Sequence, residues 1–160
     1  MTKEVYFRLA KEEDCDDLFK WRNDPITVKF SPTGKVKYEN HVNWFKNKIK
    51  DPDTHIFIIT NQSAEQIGMV RFDKNGEKAE ISINLNPEFR GLGYGKLSLR
   101  KALEFYFNNF HTNIMIAKID PNNIISQKLF FNMGFKEVGR ENQIYTELTK
   151  QDFLNNGIRN

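Results

Sequence analysis

Residues 79–96 constrain the fold of this chain more than any other segment. Ile81, Ile83 and Leu85 alternate with polar residues, a period of two that is typical of a strand with two different faces. After a proline break come the letters RGLGYG at positions 90–95, and the residues that follow carry apolar side chains at helical spacing. The segment therefore predicts a strand, a glycine-rich turn and an amphipathic helix in direct succession.

The glycine-rich turn has the composition of an anion-binding site. Its residues, with the lysine that follows, are Arg90, Gly91, Leu92, Gly93, Tyr94, Gly95 and Lys96. The first N–H groups of a helix have no intrahelical partner and lie at the positive end of the helix dipole, so they attract phosphate. Glycine lets the backbone approach a ligand closely, and Arg90 adds a permanent positive charge. A diphosphate is the expected ligand, although a plain strand-to-helix turn has the same letters.

Two better-known nucleotide loops do not match this turn. A P-loop requires serine or threonine directly after its lysine, whereas Leu97 follows Lys96. The dinucleotide fingerprint GxGxxG requires a third glycine, and Lys96 or Ser98 stands at that position. The pattern that remains is RxxGxG at the start of a helix.

Length and composition favour one globular domain that comprises residues 1–160. The net charge of +3 is small and the basic residues are spread along the chain, which argues against a nucleic-acid partner. The sequence has no run of about 20 apolar residues to span a membrane. His41, His55 and His111 lie far apart, so we expect no metal site. The single cysteine, Cys15, fits a reducing compartment, and we expect a cytoplasmic location.

Hydrophobic periodicity predicts a mixed α/β order along the rest of the chain. Strands are expected at residues 4–9, 55–61, 66–73, 79–85, 114–120, 135–141 and 144–148. Helices are expected at about residues 12–23, at 38–49, after the glycines, around 125–133 and after Thr149. Asn75 and Gly76 predict a tight turn between two strands, so part of the sheet is expected to be an antiparallel meander.

A second motif lies downstream of the glycines and has the pattern NxxSxxLF followed by GF. Its residues are Asn123, Ser126, Leu129, Phe130, Gly134 and Phe135. Together with RxxGxG after an alternating strand, and with an element order that covers essentially the whole chain, this combination resembles the GNAT superfamily of N-acetyltransferases. The resemblance implies a single-domain α/β fold. Its mixed sheet of about seven strands, flanked by four to five helices, would splay apart at the acetyl-CoA site.

The resemblance also implies acetyl-CoA as the acetyl donor, without a metal. The diphosphate would lie on the amides of Gly91–Lys96, and the pantetheine arm would lie along the strand that holds Ile83 and Leu85. A backbone N–H near Leu85 would stabilise the tetrahedral intermediate. Asn123 would bind pantetheine through its side-chain amide, or would serve only as the N-cap of the next helix. The expected cofactor contacts are completed by Ser126 and Phe130.

Acetyl transfer to an amine requires a base for the ammonium proton and a proton for the departing thiolate. Glu80 resembles the glutamate that many family members place beside the acetyl group, and it is the candidate base; a surface carboxylate or an ion pair is the alternative. Many relatives have a tyrosine where this chain has Phe130, which cannot donate a proton. The thiolate then leaves unassisted or through water, or Tyr145 or Ser126 supplies the proton.

The first two helices are expected to bind the acceptor, because in this family they cover the cleft opposite the cofactor. The candidate acceptor-binding residues are Trp21, Arg22, His41 and Trp44. The letters WRNDP at 21–25 and HVNWF at 41–45 resemble a branch with two kinds of enzyme. One kind acetylates the N-termini of ribosomal proteins and the other acts on nucleotide-linked amino sugars. Arg22 would meet a nucleotide phosphate and a tryptophan would stack on a base or sugar, or these are ordinary surface and core residues.

These patterns predict an acetyl-CoA-dependent N-acetyltransferase for the primary amine of a small molecule, with an amino-sugar nucleotide as the leading acceptor. Two alternatives remain open. One is a protein N-terminus as acceptor, and the other is a non-catalytic acyl-CoA-binding domain, which Phe130 would permit. The expected partners are the small-molecule amine and a second copy of the chain in a homodimer, with no nucleic acid and no membrane.

Overall fold

A computed structural model describes residues 2–158, which form seven β-strands and six α-helices. The strands are β1 (Val5–Leu9), β2 (Thr54–Asn61), β3 (Gln66–Asn75), β4 (Lys78–Leu85), β5 (Ile114–Ile119), β6 (Lys136–Arg140) and β7 (Ile144–Thr149). The helices are α1 (Cys15–Arg22), α2 (Pro25–Lys29), α3 (Tyr38–Lys48), α4 (Tyr94–Asn109), α5 (Ile124–Asn132) and α6 (Lys150–Ile158). None of these helices has the length and apolar character needed to cross a membrane.

The strands form one mixed sheet in the order β1-β2-β3-β4-β5-β7-β6. Neighbouring strands are antiparallel except β4 and β5, which run parallel. β2 to β4 form the predicted meander, and Gly76 closes its second hairpin with a φ of 63°. Parallel strands need a crossover connection, which α4 supplies between β4 and β5.

β4 and β5 pair at one end only. Their register runs from Lys78 opposite Ile114 to Glu80 opposite Ile116 and stops there. β4 nevertheless continues to Leu85, so the two strands diverge in the middle of the sheet. This gap confirms the predicted splay.

Each face of the sheet has its own hydrophobic core. α4 packs on one face, where Leu99 and Leu103 are fully buried. On the other face, α1 and α3 bury Trp21 and Phe45 against Ile58 of β2. Burial of apolar area in both layers stabilises the open sheet. A mixed sheet with helices on both faces confirms the predicted α/β class.

The helix α2 was not expected from the sequence, which predicted four to five helices. The carboxylate of Asp24 caps this helix by accepting hydrogen bonds from the N–H groups of Ile26 (3.1 Å) and Thr27 (3.4 Å). Pro25 occupies the first helical position, where a missing N–H has no cost and the fixed φ favours the helix. A helix of five residues is too short to show an apolar period, so Pro25 indicates only the end of α1.

Candidate active site

The gap between β4 and β5 presents backbone groups of β4. Just after β4, the N–H of Asn86 donates to the carbonyl of Ile67 directly across (2.8 Å), so the even-numbered residues of β4 bond to β3. The odd-numbered residues then direct their N–H and C=O groups towards β5. Ile83 and Leu85 lie beyond the last residue that pairs with β5, so their N–H groups face the gap. Such an edge fits an extended ligand that carries hydrogen-bonding groups.

The glycine-rich turn starts α4 beside the end of β4. A Cβ atom on Gly95 would lie 3.8 Å from Cδ1 of Leu85. Gly93 is the N-cap of α4 with a φ of 87°, and Gly91 has a φ of 74°, values at which side chains are strained. No side chain among the described residues caps this helix, so its first N–H groups are open to an anion.

Lys3 is a cation at this turn that sequence reasoning missed. Its ammonium donates a hydrogen bond to the carbonyl of Leu92 and lies 5.1 Å from the centre of the Tyr94 ring. The two ends of this hydrogen bond are 89 residues apart, so no local pattern could have indicated it. Lys96 is exposed on the first turn of α4. The turn therefore has two ammonium groups close to its open amides.

Arg90 joins α2 to the end of β4. Its guanidinium donates to Asp24 (2.6 Å), to Thr27 (3.0 Å) and to the carbonyl of Leu85 (3.4 Å). Burial alone would raise the pKa of Asp24, but the hydrogen bond and charge of Arg90 outweigh burial and lower this pKa below its usual value. The binding of a diphosphate by Arg90 stays a prediction, and in this structure its guanidinium is directed to α2.

A cavity of about 340 Å³ lies where β4 and β5 diverge. Its lining residues are Phe30, Pro32, Arg71, Glu80, Ile81, Ser82, Lys118, Ile119, Asp120, Asn123, Ser126 and Gln143. The volume suits a small molecule, and the lining carries both positive and negative side chains. Sequence reasoning named only Glu80, Asn123 and Ser126 among these residues as ligand contacts. The others come from neighbouring strands and loops whose proximity depends on the sheet order.

Glu80 lines the cavity as part of an ion pair. One of its carboxylate oxygens lies 2.8 Å from the ammonium of Lys118 on β5. The hydrogen bond and charge of Glu80 raise the pKa of Lys118, so this ammonium stays protonated. The centre of the Tyr145 ring lies 5.9 Å from the same ammonium. Glu80 therefore already binds a primary ammonium inside the cavity, which is the contact that an amine acceptor requires.

Asn123 and Ser126 lie together on the cavity wall at the start of α5. The side-chain oxygen of Asn123 accepts a hydrogen bond from the N–H of Ser126 (3.1 Å), so Asn123 is the N-cap of this helix. The cap uses only the oxygen, and the side-chain NH₂ group remains a donor for a ligand. Phe130 is 5% exposed and packs edge-on against Phe135. This burial leaves Phe130 little surface for the cofactor contact that the sequence predicts.

Trp21 and His41, two of the four expected acceptor-binding residues, are core residues. Trp21 is 3% exposed and packs between α1, α3 and β2. His41 is 5% exposed and donates from Nε2 to the carbonyl of Cys15 (3.1 Å). Burial lowers the pKa of His41, so its ring is neutral near pH 7. Neither ring has a face for an acceptor, which corrects these two assignments.

Arg22 and Trp44 lie directly behind the cavity wall. The ring centre of Trp44 is 5.2 Å from the guanidinium carbon of Arg71, which lines the cavity. Nη2 of Arg22 donates to the hydroxyl groups of Ser31 (2.6 Å) and Thr33 (2.9 Å), on either side of a cavity-lining proline. Arg71 therefore separates Trp44 from the cavity, and the segment around Pro32 separates Arg22 from it.

Sequence comparison connects this chain with acetyltransferases. Residues 4–136 match the family described as an acetyltransferase (GNAT) domain. The uncharacterized protein MJ1062 of Methanocaldococcus jannaschii is 30% identical over 145 residues, and the match covers 87% of this chain but only 30% of that protein. The acetyltransferase PseH of Campylobacter jejuni is 24% identical over 152 residues, which cover 94% of this chain and 95% of PseH.

The fold also matches that of a solved acetyltransferase. The spermidine N-acetyltransferase from Vibrio cholerae, solved with CoA and spermine, superposes with a TM-score of 0.82 over 94% of this chain and 98% of that one. Its sequence identity is 17%, so this likeness concerns the fold alone. The family match covers most of the chain, including the gap, the glycine-rich turn and the start of α5. The chain therefore belongs to the GNAT acetyltransferase family.

Proposed function

We propose that this N-acetyltransferase, which takes its acetyl group from acetyl-CoA, transfers the group to the amine of an amino-sugar nucleotide in the cavity beside β4. The observation that carries the proposal is the gap between β4 and β5. The N–H groups of Ile83 and Leu85 face it, the uncapped start of α4 lies at its end, and Glu80 lies in its cavity. A long donor with a diphosphate, an amide-containing arm and a reacting carbonyl requires these parts.

The donor fits the residues around the gap. Its diphosphate would accept hydrogen bonds from the first amides of α4, with Lys3 and Lys96 as nearby cations. Its pantetheine arm would run from there along the backbone of Leu85, in the place where β5 has moved away. The N–H of Ile83, which lies nearer to Glu80 on the strand, would then donate to the acetyl oxygen. Such a donor stabilises the transition state more than the ground state, because charge on this oxygen grows during the reaction.

Glu80 would act as the base in the transfer. The incoming ammonium takes the position of Lys118 beside the carboxylate and gives its proton to Glu80, directly or through water. The free amine attacks the acetyl carbonyl, a C–N bond forms, and the C–S bond breaks. The thiolate leaves with the electron pair and takes a proton from water or from the hydroxyl of Ser126. Phe130 has no proton to donate.

The polar lining of the cavity supports a sugar-like acceptor. Hydroxyl, amide and charged groups from Ser82, Gln143, Asp120 and Arg71 surround the space next to Glu80. A sugar ring with several hydroxyl groups satisfies such donors and acceptors, whereas an aliphatic amine leaves them without partners. The resemblance of residues 21–25 and 41–45 to enzymes for nucleotide-linked amino sugars points to the same class.

The test is release of CoA thiol from acetyl-CoA in the presence of single amines. The panel contains a UDP-linked amino sugar, the free amino sugar, spermidine and a peptide with a free N-terminus, and mass spectrometry identifies each product. We expect one acetyl group on the amine per thiol released, with the highest kcat/KM for the UDP-linked sugar. Thiol release without amine is measured separately and subtracted.

Two results would contradict the proposed function. A peptide that is acetylated faster than every sugar would make the protein an N-terminal acetyltransferase. Tight CoA binding without thiol release for any amine would indicate a non-catalytic acyl-CoA-binding domain.

A further inference from the structure

Arg22 has a buried donor without a partner. Its Nη1 atom is inaccessible to solvent and has no hydrogen-bond partner among the described residues. Its Nη2 atom donates to Ser31 and Thr33, which are neutral hydroxyl groups. A guanidinium nitrogen that is buried without an acceptor is costly, and buried charged donors are normally paired. The arrangement therefore needs a further acceptor of hydrogen bonds, preferably an anion.

The carboxylate that pairs with Arg71 is already shared. Asp73 accepts from Nε of Arg71 at 2.8 Å and lies 3.8 Å from the ammonium of Lys48. Arg22 makes no ion pair within residues 2–158, and the charge of Arg71 adds to burial in lowering the pKa of Arg22. Arg22 and Arg71 therefore lie close enough to repel each other, and the carboxylate that pairs with Arg71 makes no ion pair with Arg22. This excess of positive charge favours an anionic ligand.

The excess charge adjoins the cavity. Arg71 lines the cavity directly, and its guanidinium stacks on Trp44, which restricts its orientation. Residues 30–33 form the rest of this wall: Phe30 and Pro32 face the cavity, while Ser31 and Thr33 contact Arg22. This short segment therefore separates Arg22 from a ligand in the cavity. A small shift of residues 30–33 would expose Nη1 of Arg22 beside Arg71.

We propose that the acceptor carries an oxyanion, either a phosphate or a carboxylate, that binds between the guanidinium groups of Arg22 and Arg71. The inference rests on the proposed function and names the two residues of the same cavity that would bind the anionic part of the acceptor. Forked guanidinium donors match the paired oxygens of both anions. The amine of such an acceptor lies beside Glu80, while its anionic group lies on the α1 and α3 side. The site disfavours polyamines such as spermidine, because their positive charges would face two arginines.

The test is calorimetric titration of the CoA-loaded protein with inorganic pyrophosphate and, separately, with malonate. Bound CoA fills the diphosphate site at α4, so added anions report on the second site. We expect R22Q and R71Q to weaken the binding of the preferred anion at least about tenfold. The matched control R140Q, which removes an exposed arginine on β6, should bind like the wild type. Tighter pyrophosphate binding identifies a phosphate-bearing acceptor, and tighter malonate binding identifies a carboxylate.

The melting temperature of each variant separates a binding role from a structural one. R22Q removes a partly buried charge that has no carboxylate partner, so its melting temperature should be equal to that of the wild type or higher. R71K keeps the charge beside Asp73 and serves as a second variant if R71Q does not fold. Absence of binding for both anions would overturn the inference. Binding that is unchanged in R22Q and R71Q would also overturn it.

Paired acceptors distinguish this inference from the proposed function. We expect a phosphorylated amino sugar to exceed its unphosphorylated parent in kcat/KM by at least about tenfold, and R22Q to remove this advantage. Equal rates for the two sugars would refute the anion site while leaving the acetyltransferase activity intact. Anion binding without thiol release for any amine would support the anion site and would refute the proposed acetyl transfer.

Discussion

Glu80, the proposed base, forms an ion pair with Lys118. The two charges lie 2.8 Å apart on strands that have just stopped pairing. The ion pair holds the Glu80 carboxylate at the wall of the cavity. In the proposed transfer, an acceptor ammonium would compete with Lys118 for the same oxygens, so only an amine that is also held elsewhere in the cavity would reach Glu80. Anion binding at Arg22 and Arg71 would provide that second contact.

Replacing Glu80 by glutamine tests the proton transfer. We expect E80Q to lower kcat about 100-fold near pH 7, because the amide accepts no proton from the ammonium. Activity should recover partly as the pH rises through the pKa of the acceptor amine, where the free amine no longer needs a base. The affinity for CoA, measured by calorimetry, should not change. E104Q removes an exposed carboxylate on α4 and should keep the wild-type pH profile. A wild-type pH profile in E80Q would exclude Glu80 as the base.

The sequence does not determine the burial and the contacts of every side chain that it marks as a candidate. Trp21 and His41 lie in the helices that were expected to bind the acceptor, but their side chains are buried in the core. Arg22 is partly buried although its side chain is charged. The helical spacing of apolar residues indicates which face of a helix is buried, but it does not specify which residues lie at the boundary of that face. Arg90 was assigned to the diphosphate by its position in the motif, whereas the unexpected helix α2 supplies Asp24 as its partner.

At the scale of elements, the strand, turn and helix of residues 78–109 position most of the proposed cofactor site. This unit was predictable because all its signals are local: alternation, glycines and an apolar helical stripe. The glycines are needed at two positions with positive φ, namely Gly91 and Gly93. Each leaves the backbone open to solvent at the start of α4, where a phosphate would bind.

Replacing Gly93 by valine tests the amide site. The left-handed φ of 87° costs a valine about 1–2 kcal/mol of stability, and its side chain would cover the first amides of α4. We therefore expect both a lower melting temperature and a Kd for CoA that rises at least about tenfold.

The matched control is G76V in the hairpin between β3 and β4. Gly76 has a φ of 63° and no neighbour within 4 Å of an added Cβ, so valine there causes similar strain without approaching α4. We expect G76V to melt at a lower temperature and to bind CoA normally. Equal CoA affinity in G93V and the wild type would place the diphosphate elsewhere.

At the scale of the whole molecule, the sequence predicts the order of helices and strands along the chain. It does not predict which distant residues lie close together in the fold. The seven strands and the long helices follow from periodicity, and the mixed sheet with its splay follows from the family resemblance. The cavity brings together Arg71, Lys118 and Gln143 with the segment after α2, and these lie far apart along the chain. Their meeting depends on the divergence of two strands, which no local pattern specifies.

The dependence of overall stability on pH should follow Asp14, which joins β1 to the start of α1. Its carboxylate accepts two hydrogen bonds from Arg8 (2.8 and 2.9 Å) and one from the N–H of Lys11 (2.7 Å). Burial alone would raise the pKa of Asp14, but these bonds outweigh it and lower the pKa below its usual value of 3.8. The stabilisation is therefore complete above about pH 4 and is lost as the pH falls through the lowered pKa.

Replacing Asp14 by asparagine tests this pH dependence through urea unfolding. We expect D14N to lose about 1–3 kcal/mol at pH 7 and to lose less further stability than the wild type on acidification. D53N, which alters an exposed carboxylate in the turn before β2, should follow the wild type. A parallel pH dependence of D14N and the wild type would contradict the assignment.

The central claim is that acetyl-CoA lies in the gap between β4 and β5, with its diphosphate on the start of α4. The most direct measurement is a titration of the ¹⁵N-labelled protein with CoA, followed by backbone amide NMR. We expect the largest shifts at Ile83, Leu85 and residues 91–96, with a smaller shift of the Asn123 side-chain NH₂ group. Shifts confined to the groove of Val5, Phe7 and Phe105 between β1 and α4, with those amides unchanged, would contradict the claim.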